Sequence, residues 1–252
     1  MAKLMKITVL GTCSAYPSIG AACSGYLVEE GSTKLLIDCG TGVLSNLQKV
    51  VELKDVTHIV ISHLHPDHFF DLIPYRHALV SPAYQKLRPH LYLPPQGIEK
   101  LLDLISMFDS SPISFSEFFE LEEYDPASSL KLGDLSLKFA SVKHYIPCYA
   151  MAINCKQRII YSADSGLCDE LAVLAEGADL FLCEATRCKT DGAEWGHLSA
   201  DEAATLAKRA KVKRLILTHF RPDYDYSQNL EQARTIYSGE FEVAAEFSTY
   251  IL

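Results

Sequence analysis

The stretch Ser62-His63-Leu64-His65-Pro66-Asp67-His68 places four side chains able to bind a metal within six positions. It follows the apolar run Ile59-Val60-Ile61, a strand by composition, and leads into a helical pattern. Imidazoles and carboxylates beside an apolar strand are costly to bury unless they are paired or hold a cation. His63 and His65 are two residues apart, so an extended backbone projects both to one side. Asp67 and His68 follow where the chain turns and can face a second ion. A cluster this dense points to a metal centre rather than to a solvated loop.

Two ions need more ligands than this segment supplies, and three further groups stand in equivalent places. His144 lies beyond the expected strand Leu135–Ala140, Asp164 follows Ile159–Tyr161, and His219 follows Leu215–Leu217. Each sits just past the C-terminal end of a strand, where layered α/β folds gather their sites. Imidazole with carboxylate suits zinc, and Mn2+ or Fe2+ can occupy the same ligands.

These side chains need a scaffold, and the pattern supplies one. Further strands are expected at Ile7–Leu10, Tyr26–Val28, Lys34–Ile37, His58–Ile61, Leu91–Leu93, Tyr149–Ile153, Leu180–Cys183 and Phe241–Ala245. Helices are expected at Val43–Val50, Phe69–Val80, Ile98–Phe108, Leu167–Leu174, Ala200–Lys208 and Leu230–Tyr237. Ser199 before Ala200-Asp201-Glu202 is a good N-cap. Asp109–Ser129, rich in Ser, Glu and Pro, reads as irregular surface structure. The mixture indicates an α/β or α+β layered fold, taken as one domain over residues 1–252.

Composition narrows the functions. The 252 residues carry a net charge of -9, and the sequence pI is about 5.5. This argues against a broad nonspecific nucleic-acid surface but not against an RNA substrate at a metal site that reverses the local field. The eight cysteines form no C-x-x-C pair and read as free thiols of a reducing compartment. No apolar run reaches membrane-spanning length, and a cytoplasmic protein is expected.

The order His-x-His-x-Asp-His, then a His, an Asp and a His each after a strand, resembles the metallo-β-lactamase superfamily. The resemblance runs from Gly11-Thr12 and Leu36-Ile37-Asp38-Cys39-Gly40 to His219. It implies a four-layer αββα sandwich with the metals in a groove at one edge. It also implies that His63, His65 and His144 hold one zinc and that Asp67, His68 and His219 hold the other. Asp164 would bridge them together with a hydroxide, and Asp38 would stand behind the metals. True β-lactamases normally lack the bridging Asp, and di-iron redox members carry Glu where His65 stands. Glyoxalase II-like enzymes share the seven ligands but continue into a helical domain, whereas 33 residues follow His219 here.

Cys183-Glu184-Ala185-Thr186 and Gly196-His197-Leu198-Ser199-Ala200 are similar to motifs of ribonuclease Z and its relatives. That resemblance implies a His197 that protonates the leaving oxygen, a Glu184 that orients it, and a homodimer. Independently, a metal hydrolase needs an acid for its leaving group, and His suits that task near neutral pH. Asp67 could orient the nucleophile as well as bind metal. The expected function is therefore binuclear zinc hydrolysis of a phosphodiester. Ribonuclease Z relatives carry a long Gly/Pro-rich arm between the His144 and Asp164 positions, and here Tyr145–Ala163 reads as a compact strand pair. A small phosphodiester or cyclic nucleotide is favoured, with arm-less tRNA 3′ processing next, then sulfate-ester or lactone hydrolysis. A degenerate metal-binding scaffold is the alternative outside enzymes. Tyr75 and Arg76 read as helix surface that could reach substrate, His58, His77 and His90 match no ligand position, and Arg221–Tyr224 could line the groove.

Overall fold

The computed structural model describes residues 4–84, 86–107, 115–188 and 195–252. Among them, two seven-stranded sheets account for the strands. The first contains β1 (Lys6–Gly11), β2 (Gly25–Glu30), β3 (Thr33–Ile37), β4 (His58–Val60), β5 (His90–Leu93) and β6 (Glu120–Glu123) side by side, with β14 (Thr249–Ile251) against the outer edge of β1. The second runs β7 (Leu130–Leu132), β8 (Leu135–Ser141), β9 (Tyr149–Asn154), β10 (Arg158–Tyr161), β11 (Leu180–Glu184), β12 (Arg214–Thr218) and β13 (Glu240–Val243) in spatial order. Helices are α1 (Val43–Val50), α2 (Pro66–Phe69), α3 (Leu72–Val80), α4 (Gly97–Ser106), α5 (Asp169–Leu174), α6 (Ala200–Arg209) and α7 (Ser227–Ile236).

Three apolar layers fix the expected sandwich. Alternate strand residues such as Tyr26, Val28, Leu35, Ile37, Ile159, Tyr161, Leu180 and Leu182 pack together in one core between the sheets. Their neighbours Leu27, Leu36, Ile59 and Leu91 pack under α1, α3 and α4. Ile160, Phe181, Leu215 and Leu217 pack under α5, α6 and α7. Strand side chains alternate between faces, so a central strand with both faces covered must be apolar throughout. The order helix, sheet, sheet, helix is thus written into runs such as Leu35-Leu36-Ile37.

Several expectations need correction. Asp109–Ser129 is not uniformly irregular: Glu120–Glu123 forms β6, parallel to β5, and Phe115, Phe119 and Tyr124 are buried. Its 109–114 portion lies outside the described residues. The Glu-Leu-Glu-Glu sequence carries no apolar alternation because it forms a sheet edge, where charges also discourage further strand pairing. The helix expected at Phe69–Val80 starts earlier, at Pro66, and is broken at Phe70–Asp71. Pro74 has no N–H to offer the Phe70 carbonyl, so one helix cannot run through. Tyr75 and Arg76 are not surface residues; both are buried in the outer layer, with Tyr75 edge-on to Phe119 and Arg76 over the Phe115 ring. His58 and His90 stack across β4 and β5 with ring centroids 5.3 Å apart, away from the histidine cluster. Among the described residues all eight cysteines are free, and five are buried. No helix among those residues is long and apolar enough to cross a membrane.

Candidate metal centre

The sandwich brings the expected donors from both sheets to one edge of the sandwich. β4 ends three residues before His63, and Asp67 and His68 occupy the first turn of α2 behind Pro66 at its N1 position. His144 follows β8, Asp164 follows β10 and His219 follows β12. Backbone kinks aim these segments inward: Ala15, Asp38, Ala163 and His219 have φ values of 63°, 56°, 49° and 61°. Left-handed conformations cost non-glycine residues about 1–2 kcal/mol each, a strain that clusters at functional sites.

Donor atoms converge in two sets. His63 Nε2 lies 3.2 Å from His65 Nδ1, which lies 3.0 Å from His144 Nε2. Asp164 Oδ2 completes that set at 3.6 Å from His63 and 3.8 Å from His144. In the second set His68 Nε2 is 3.2 Å from His219 Nε2, and Asp67 Oδ2 is 3.7 Å and 3.3 Å from them. Asp164 Oδ1 faces this second set, 3.3 Å from His68 Nε2. Ligands about 2.0–2.1 Å from a tetrahedral ion sit roughly 3.3 Å from one another, so both sets are close to the right size for one ion.

The back of each ring shows which nitrogen is presented. His63 Nδ1 lies 3.0 Å from Ser62 Oγ, and His144 Nδ1 donates to the Gly196 carbonyl at 2.8 Å. Thr186 Oγ donates to the His219 carbonyl at 2.8 Å, so it accepts from His219 Nδ1, also at 2.8 Å. Asp38, fully buried, takes donations from His68 Nδ1, Ser62 Oγ and Tyr161 OH at 2.8 Å and from Ser62 N–H at 2.7 Å. With Nδ1 committed in this way, Nε2 of His63, His68, His144 and His219 faces the cluster, the orientation a cation requires.

Charge reinforces this arrangement. Burial holds His63, His65 and His144 below the usual imidazole range, so they stay neutral donors. His68 differs: burial acts the same way, but the carboxylates of Asp164, Asp67 and Asp38 outweigh it and hold His68 well above that range. Without a cation its Nε2 therefore keeps a proton that a bound metal would displace to expose the lone pair. Burial would raise Asp67 and Asp164, yet the surrounding histidines keep both carboxyls below the usual carboxylate range. Asp164 Oδ1 is buried and meets no hydrogen-bond donor in suitable geometry. An ionised oxygen buried without a donor, amid converging lone pairs, fits a pair of divalent cations.

A cavity of about 330 Å³ opens over the cluster. His197 borders it, its Nδ1 donating to Glu184 Oε1 at 2.9 Å. Glu184 is 1% exposed and is held by the N–H groups of Ser165 and Thr186 at 2.8 Å and 3.0 Å. The facing wall is Ser14 and Ala15, and the Ala15 N–H donates to Asp67 Oδ2 at 2.6 Å. That donor was invisible in the sequence because a backbone amide has no side-chain signature. Thr186 and Ser62 stood inside the motifs, but nothing local assigned them a histidine. The Arg221–Tyr224 segment does not border this cavity; Asp223 and Tyr224 line a separate one, with Arg221 stacked on Tyr224 at 4.2 Å.

The chain is similar to several known proteins. A family model described as "Anti-Pycsar protein Apyc1" matches residues 5–240. The chain belongs to the Apyc1 family. A probable metallo-hydrolase of Bacillus subtilis, YhfI, is 32% identical over 95% of this chain and 97% of its own. The crystal structure of YhfI, a metallo-β-lactamase fold protein, superposes with a TM-score of 0.88 at 29% identity, covering 98% and 99% of the two chains. Ribonuclease Z of Ignicoccus hospitalis is 26% identical over 99% of each chain. Human tRNase Z, short form, has a TM-score of 0.71 at 26% identity and covers 97% of this chain and 98% of its own. This Apyc1-family chain is a metallo-hydrolase of the metallo-β-lactamase superfamily, as the sequence resemblance implied.

Proposed function

We propose that the protein is a binuclear phosphodiesterase acting on a small phosphodiester or cyclic nucleotide. His63, His65 and His144 would hold one zinc, Asp67, His68 and His219 the second, and Asp164 would reach both through its two oxygens. Bound there, two divalent cations neutralise charge on the phosphoryl oxygens and make a water acidic enough to attack near neutral pH.

The observation that carries this reading is the Glu184–His197 pair beside the donor cluster. Glu184 holds the Nδ1–H, so Nε2 is the atom left to deliver a proton into the cavity. A positioned acid matters most when the departing group is a poorly stabilised alkoxide, as in a sugar–phosphate diester. Asp67, fixed by the Ala15 N–H, orients the attacking water. The hairpin of β9 and β10, paired from Met151–Tyr161 to Asn154–Arg158, fills the interval between His144 and Asp164 without an arm. Together with the charge of -9 this favours a small substrate over a folded RNA. The likeness to two ribonuclease Z proteins supports tRNA 3′ processing as a second reading.

The test is metal content followed by assay of zinc-loaded protein against bis(p-nitrophenyl) phosphate, 2′,3′- and 3′,5′-cyclic nucleotides and a precursor tRNA. Two metals per chain and hydrolysis of small diesters, with tRNA left intact, are expected. Accurate removal of a tRNA 3′ trailer would promote the second reading. Loaded protein with no diester activity would sink both.

A further inference from the structure

Tyr145 on the rim of the cavity and Trp195 packed beside it are two large aromatic side chains that the mechanism does not use. Tyr145, the residue after His144, borders the cavity and is 52% exposed; Trp195, two before His197, is also 52% exposed. Their ring centroids are 6.0 Å apart, and Lys143 Nζ lies 5.2 Å from the Trp195 ring centroid. Water contact over so much aromatic surface is unfavourable, and the Tyr145 ring adjoins the donor cluster, 5.2 Å from the His144 ring and 6.1 Å from that of His197.

The pair is built in rather than loosely hung. Lys143 and Gly166 form a β-bridge. A Cβ on Gly166 would meet the Trp195 carbonyl oxygen at 2.1 Å, and one on Gly196 would meet the Tyr145 ring at 2.6 Å. Those two glycines let the loops bearing His144, Asp164 and His197 interlock, with the aromatic residues carried on them.

We propose that Tyr145 and Trp195 form a shelf that stacks the base of a nucleotide whose phosphate sits over the donor cluster. This rests on the phosphodiesterase reading and narrows its substrate to base-bearing diesters. A purine or pyrimidine offers the flat π-face that such rings take up, and stacking of this kind tolerates different bases. The Lys143 ammonium adds positive charge beside an anionic ligand.

Trp195 is the only tryptophan of the chain, so its emission reports on the shelf directly. Zinc-loaded protein is titrated with adenosine and cytidine 5′-monophosphates and with ribose 5-phosphate. The nucleotides are expected to change Trp195 emission saturably, ribose 5-phosphate to bind at least tenfold more weakly, and Tyr145→Leu to weaken nucleotide binding roughly tenfold. Tyr145→Phe, which keeps the ring, restores it. In kinetics, Tyr145→Leu and Trp195→Leu lower kcat/KM for a 3′,5′-cyclic nucleotide about tenfold relative to a base-free methyl ribofuranoside cyclic phosphate. Equal affinity for nucleotides and ribose 5-phosphate, or an unchanged kinetic ratio, would overturn the shelf. Hydrolysis of bis(p-nitrophenyl) phosphate without nucleotide preference would remove the shelf and keep the phosphodiesterase. Nucleotide-specific quenching without hydrolysis of any diester would do the reverse.

Discussion

Asp38 offers the sharpest quantitative check on how the candidate centre is held. Its carboxylate accepts four hydrogen bonds, three on Oδ2 from Ser62, His68 and Tyr161 and one on Oδ1 from the Ser62 N–H. Asp38→Ala would strand four buried donors at about 1–3 kcal/mol each, a sum comparable to the whole stability of a domain. It should therefore not fold, which teaches little. Asp38→Asn keeps the shape and leaves one acceptor oxygen. Turned to serve the three Oδ2 donors, its amide faces the Ser62 N–H, stranding one donor at about 1–3 kcal/mol. The three remaining bonds lose their charge assistance, at roughly 0.5–1 kcal/mol each. The total is about 2.5–6 kcal/mol, or roughly 5–24 °C in Tm at 2–4 °C per kcal/mol for a chain of this size. His68 also loses the anion that orients its ring, so zinc should bind about 10–100-fold more weakly. Differential scanning calorimetry with and without zinc, alongside competition with a chromogenic chelator, measures both. A variant that melts within about 1 °C of wild type and retains its zinc would refute the assignment of Asp38 as the common acceptor.

Three other outcomes follow from the same geometry. His197→Ala and Glu184→Gln should lower kcat by about 10²–10³ on diesters with alkoxide leaving groups but far less on bis(p-nitrophenyl) phosphate, whose leaving group needs little help; equal losses on both would remove His197 as the acid. Chelation should lower Tm, because a cation held at a thousand times its Kd stabilises by about 4 kcal/mol; identical melting of stripped and loaded protein would argue against a cation bound by His63, His65, His144 and Asp164. Asp179 accepts from Arg158 N–H at 2.8 Å and Lys213 Nζ at 2.7 Å. Burial would raise this carboxyl, but those donors hold it below its ordinary 3.8. Its stabilisation is therefore complete above about pH 4 and lost as the pH falls through the lower folded value. Asp179→Asn should flatten the acid limb of a Tm-against-pH curve, and an unaltered limb would contradict that linkage.

The chemistry was legible in residues 58–68 and at the ends of β8, β10 and β12, because spacing along a strand and through one turn is a local property. His63, His65, Asp67 and His68 are neighbours in the chain, so two-residue alternation and one proline decided most of their placement. The buried strands were equally plain, since both faces of β2, β3, β10, β11 and β12 must be apolar. What failed locally was whatever depends on a distant partner. β14 exists because Tyr250 pairs with Ile7 across the whole chain, and β6 because its charged edge finds β5. The break at Phe70–Asp71 needed only Pro74, and was there to be read. Tertiary structure alone chose His68 as the ring that Asp38 backs, and brought Thr186 behind His219, the Ala15 N–H onto Asp67, and Tyr145 beside Trp195. These are contacts between segments far apart in sequence. Residue types can nominate a donor, but only the packing of two sheets can say which acceptor stands 2.8 Å behind it.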